Sequence, residues 1–113
     1  KADFGMFGLG TTSMTPRAQA LIQEVGKLLA AMPNKVALRG HTDSLAFANT
    51  NNRNNWTLSA ERAEETRKNL ERQGIQTNRF ARIEGVADTV PYNPSDPKDP
   101  RNRRISITVL NRD

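Results

Sequence analysis

Seven apolar side chains, Ala18, Leu21, Ile22, Val25, Leu28, Leu29 and Met32, recur every three or four residues, which lines one face of an α-helix. Thr15-Pro16 opens the run with a hydroxyl able to cap free amides and a proline suited to the first helical position. Pro33-Asn34 closes it. Val36-Ala37-Leu38 then reads as a buried strand running to about His41. A helix followed at once by a buried strand commits the chain to layers, because each element needs another's apolar face to cover its own.

The remaining pattern extends that plan. A second helix is predicted from about Leu58 to Gln73, with Thr57 as its cap and Gly74 as its stop. Its apolar face (Leu58, Ala63, Leu70) is thin, and Glu64 and Lys68 are spaced as an i,i+4 pair on the solvent side. Phe80 to Val86 reads as a strand. Arg104 to Leu110 is another, with Ile105, Ile107 and Val109 on one side and Ser106 and Thr108 on the other. Between them, 88–103 holds Pro91, Pro94, Pro97 and Pro100 and reads as an irregular connection. The expected architecture is an α/β two-layer sandwich over 15–113. Residues 1–14 form a lead-in, either a short edge strand or a frayed segment, since glycines interrupt Phe4, Met6, Phe7 and Leu9. Five of the twelve residues from Ser44 to Asn55 are Asn, so a long turn-rich loop separates the first strand from the second helix.

With 113 residues the chain makes one domain, able to bury roughly two thirds of its unfolded surface. No apolar run is long enough to span a membrane. There is no signal peptide and no initial Met, so the chain reads as a piece of a longer protein. A net charge of +5 favours anionic partners.

Catalysis finds little support. His41 is the single histidine and there is no cysteine, so no His/Cys metal cluster or thiolate is available. No nucleophile elbow or phosphate-cradling loop occurs, and neither an enzyme nor a cofactor is expected. His41 reads as a strand-end histidine bonded to backbone. Trp56 reads as a core or rim aromatic. The basic run Arg101-Asn102-Arg103-Arg104 suits a solvated face better than a nucleic-acid surface, because only Phe80 lies near a strand that could stack bases. The notable pair is Asp43, where the strand should end, and Arg62, in the expected first turn of the second helix. Two readings fit them. They form a structural salt bridge, or they share a crevice with the helix's free amides and grip a zwitterion.

Gly40-His41-Thr42-Asp43, Asn55-x-x-Leu58-Ser59-x-x-Arg62-Ala63, Gly74-Ile75, Gly85 and Asn102-Arg103-Arg104-Ile105 follow one another in an order that resembles the OmpA-like C-terminal domain family. The resemblance implies a βαβαββ-type mixed sheet with helices on one face. It implies non-covalent binding of peptidoglycan through the diaminopimelate of the stem peptide. Asp43 and Arg62 would be the charged contacts, Thr42, Asn55 and Leu58 would line the pocket, and Arg104 would be added from the Asn-Arg-Arg motif. Asn55-Trp56 before Leu58-Ser59, the long loop after Asp43, and the ending Val109-Leu110-Asn111 are similar to the flagellar-stator branch of that family. That branch implies the periplasmic domain of an inner-membrane protein, a homodimer, and a stator A partner reached through a membrane segment this chain lacks. The alternatives are an anchor on another envelope or outer-membrane protein and, from a different class, a basic nucleic-acid-binding domain. A single such site would be weak, roughly micromolar to millimolar, and two linked copies would compensate.

Overall fold

The computed structural model describes residues 5–45 and 54–111, so most of the Asn-rich loop expected after Asp43 lies outside the described residues. Helix α1 spans Pro16–Ala30, and the Thr15 hydroxyl accepts the Ala18 amide at 3.1 Å, as its capping signal implied. It buries Ala18, Ile22 and Leu29, whereas Leu21 and Leu28 stay exposed, so the apolar stripe is wider than the covered face.

Strand β1, Val36–Gly40, is the centre of a three-stranded sheet. It pairs in parallel with β2, Phe80–Gly85, and antiparallel with β3, Ile105–Val109. The parallel neighbour requires a crossover, and helix α2, Asn55–Arg72, supplies it. Gly74, at φ +105°, ends that crossover in a conformation that side chains disfavour.

The second helix begins three residues before the predicted start. Asn54, rather than Thr57, is the cap: its side chain accepts the Thr57 amide at 2.9 Å. Asparagine is a strong cap, so the helix nucleates ahead of Trp56 and the Thr57 position falls inside it. Glu64 turns to Arg67, which also holds Glu71, rather than to Lys68. Arginine's fork can hold two carboxylates at once, which lysine's point charge does less well.

Two glycines determine how closely α2 lies on the sheet. Gly40 and Gly85 are register partners on β1 and β2. A methyl group at Gly40 would stand 1.8 Å from the Ser59 carbonyl oxygen, and one at Gly85 would stand 2.3 Å from the Ala60 amide nitrogen. The helix backbone therefore rests on bare strand at this point.

From Gly5 onward the lead-in is folded onto the body. It makes an isolated antiparallel bridge, Phe7 to Met14, in place of a full strand. The Met6 amide bonds the Arg103 carbonyl, and the Thr15 amide bonds the Met6 carbonyl, both at 2.9 Å. Phe7 joins the core with Ile22, Leu29, Val36, Leu38, Ala63, Leu70, Ile75 and Ile105. Val109, on the Ile105 side of the alternation, is exposed at the end of β3, an edge strand.

Candidate functional site

The C-terminal end of β1 runs straight into His41-Thr42-Asp43, all three buried. Backbone bonds hold this turn: the His41 amide reaches the Arg104 carbonyl and the Thr42 amide reaches the Ala87 carbonyl, each at 2.9 Å. Ala87 sits at φ +54°, a costly conformation for a residue with a side chain. Its amide donates to the Ser59 hydroxyl at 3.0 Å, which ties the loop after β2 to helix α2.

Asp43 and Arg62 approach one another without pairing. Arg62 lies about two turns into α2, not in its first turn, because the helix starts early. Its side chain is fully buried. Nε donates to the Thr11 carbonyl at 2.9 Å, Nη1 to the His41 carbonyl at 3.0 Å and Nη2 to the Gly8 carbonyl at 3.1 Å. The guanidinium also stands over the Phe7 ring, 5.0 Å from its centroid. Burial pushes the Arg62 pKa down to about 10; the Asp43 carboxylate opposes that shift and Arg103 adds to it.

The carboxylate of Asp43 takes a different arginine. Its Oδ2 meets Arg103 Nη1 at 3.0 Å, and both side chains are almost wholly buried. Its Oδ1 accepts the Leu45 amide at 3.2 Å. Arg103 Nε in turn donates to the Phe7 carbonyl at 2.7 Å. The lead-in, Asp43, Arg62 and Arg103 thus form one cluster in which a carboxylate lies among two guanidinium groups.

The other expected residues divide. Thr42 is in the cluster's turn, and its buried hydroxyl has no hydrogen-bond partner among the described residues. Asn55 opens α2 and donates to the Leu45 carbonyl at 3.4 Å, next to Asp43. Leu58 is buried one turn on. Arg104 points away: its Nη2 donates to the Val90 carbonyl at 3.0 Å, on the side of Tyr92. Trp56 is 57% exposed on the rim of α2.

Arg103, not Arg104, is the arginine of the Asn-Arg-Arg motif that enters the cluster. A period-two signal pointed to it, since residue 103 shares a side with Ile105 and Ile107, both of which face the core.

His41 is neutral at ordinary pH. Burial first, then Arg104 and Arg39, push its pKa from 6.5 down to about 4. Its Nε2 lies 2.8 Å from the Ser106 hydroxyl. Among the described residues no group of three or more acidic, histidine or cysteine side chains could hold a metal ion.

A buried carboxylate between two guanidinium groups lies at the end of the central strand, under an incoming helix, on an α/β scaffold. The chain belongs to the OmpA family, which it matches over residues 6–104. It is 34% identical over 108 residues to motility protein B of Escherichia coli K12, covering 95% of this chain and 35% of that protein. It is also 34% identical to the putative truncated flagellar export/assembly protein LafU of the same strain, covering 93% of this chain and 49% of that one. The chain thus spans half or less of the length of these curated relatives. The C-terminal domain of Helicobacter pylori MotB has the same fold, with a TM-score of 0.84 at 20% identity over all of this chain and 88% of that one. The cell wall anchor of the Pseudomonas aeruginosa T6SS has a TM-score of 0.76 at 32% identity over 93% of this chain and 74% of that one.

Proposed function

We propose that this domain binds peptidoglycan non-covalently and anchors a flagellar motor stator to the cell wall, taking the diaminopimelate end of a stem peptide at the Asp43–Arg62–Arg103 cluster. The observation that carries this reading is the convergence of those three charges at one strand end. An amino-acid head group presents an ammonium and a carboxylate on one carbon. Asp43 suits the first, and the fork of Arg62 suits the second.

Arg62 is fully buried and held by the Gly8 and Thr11 carbonyls. A ligand carboxylate therefore has to replace neutral carbonyl acceptors, an exchange that favours the charged partner. Thr42, whose hydroxyl has no partner among the described residues, and Asn55 would complete the rim. In this reading the domain lies in the periplasm as part of an inner-membrane protein, works as a homodimer, and meets the stator A subunit through a membrane segment elsewhere in the protein. Among the described residues no helix is long and apolar enough to cross a membrane. It performs no catalysis.

The test is co-sedimentation with purified peptidoglycan. Asp43→Asn and Arg62→Lys each abolish it while helical content stays unchanged. Full binding by both variants refutes the site.

A second reading keeps the wall and drops the motor. The 32% identity to a T6SS cell wall anchor fits an envelope anchor unconnected with motility. A motility assay on a strain carrying Asp43→Asn in the full-length protein separates the two: swimming is lost in the first case and kept in the second.

A further inference from the structure

Residues 103 and 104 point to opposite sides of the chain, and so do Met6 and Phe7 beside them. Phe7 and Arg103 face inward to the cluster just described. Met6 and Arg104 face a separate cleft of about 490 Å³, lined by Met6, Arg17, Tyr92, Arg101 and Arg104. The walls of this cleft are mainly apolar, yet three arginines edge it.

The arginines are not equivalent. Arg101 is committed to Asp99, which it holds through Nε and Nη2. Arg104 makes no ion pair among the described residues, and its Nη1 is buried there without a hydrogen-bond partner. A buried donor on a cation costs free energy unless something accepts from it. Burial lowers the pKa of this arginine, and the group that opposes the shift is Tyr92, not a carboxylate. Tyr92 is 59% exposed, with the Arg101 and Arg104 guanidinium carbons 5.4 and 6.0 Å from its ring centroid. An aromatic surface held in place by two cations is therefore offered to solvent, rimmed by a donor with no acceptor among the described residues.

We propose that this cleft is a second binding site, in which Arg104 takes a carboxylate and Tyr92 and Met6 take the apolar or ring-shaped body next to it. The choice of ligand rests on the wall-binding reading above: a stem peptide carries more than one carboxylate, next to the rings of the glycan. The strap from Met6 to Phe7 separates the two sites, so one polymer engages both by lying across it. The first site reads an ammonium and carboxylate together. The second reads a carboxylate alone, with no acidic group among its described lining residues to welcome an ammonium. Two weak contacts on one polymer then act as a linked pair.

The experiment is an amide-resolved NMR titration of the domain with a soluble disaccharide-peptide from peptidoglycan. Two groups of shifts are expected, one at Thr42, Asp43 and Arg62 and another at Tyr92 and Arg104. Arg104→Gln weakens the second group's Kd by about tenfold or more and leaves the first unchanged. Arg104→Lys restores part of the loss, since charge returns without the fork. Tyr92→Ala, at an exposed position, weakens the second group in the same way. Shifts at the first group alone overturn the second site and leave the wall-binding reading standing. Shifts at Tyr92 and Arg104 alone support the second site and overturn the first. Silence at both overturns both.

Discussion

Acid should loosen this fold through one residue, and the size of the effect follows from where His41 sits. Its pKa falls from 6.5 to about 4 on folding, because the buried ring lies near Arg104 and Arg39. Below pH 6.5 the unfolded chain takes up a proton that the folded chain refuses, so stability drops as pH falls and the loss is complete near pH 4. Linkage between those two values gives a loss of about 1.4 kcal/mol at pH 5.5 and about 2.5 kcal/mol at pH 4.5, relative to pH 7.5. At pH 5.5 most carboxylates are still ionised, so the first figure isolates the histidine. Urea unfolding at pH 7.5 and 5.5 measures it: the midpoint should fall by roughly 0.5–1.4 M for a domain of this size. His41→Gln, which keeps a polar group near Ser106, should lose most of that dependence. His41 is the only histidine in the chain, so its ring-proton NMR signals titrate without ambiguity. A midpoint near 6.5, or an equal loss in the variant, would refute the reasoning.

Gly40→Ala forces a methyl group into the Ser59 carbonyl and should cost about 3 kcal/mol or more, read as a fall in Tm. Asn54→Ala removes the cap of α2 and should cost about 1 kcal/mol in urea unfolding, while Thr57→Ala should cost much less. Arg103→Met removes the ion pair that Asp43 makes in the buried cluster and should cost about 3–5 kcal/mol. Adding Asp43→Asn to that variant should recover part of the loss.

Local signals carried much of this fold. The spacing from Ala18 to Met32 implied α1, Thr15 and Pro16 its start, and Gly74 the end of α2. The apolar run at Val36 implied a buried strand, and it is the central one. Where local signals competed, the reading slipped. Asn54 and Thr57 are both able to cap a helix, and the three residues between the two starts set Arg62 almost one turn deeper in α2.

Helices, strands and the motifs of the family are written locally along the chain. A period of two or 3.6 residues, a cap or a left-handed glycine acts within a few neighbours, so it is legible one residue at a time. The pairing of charges is set by packing. Asp43 had several arginines to choose from and took one sixty positions away, because Arg103 shares the inward side of its segment with Ile105. Arg62 was left to the backbone of the lead-in, whose own sequence showed little but glycines and scattered apolar residues. Which charges meet depends on how layers are stacked and how closely a bare Gly40 lets a helix approach, and no local pattern encodes that distance.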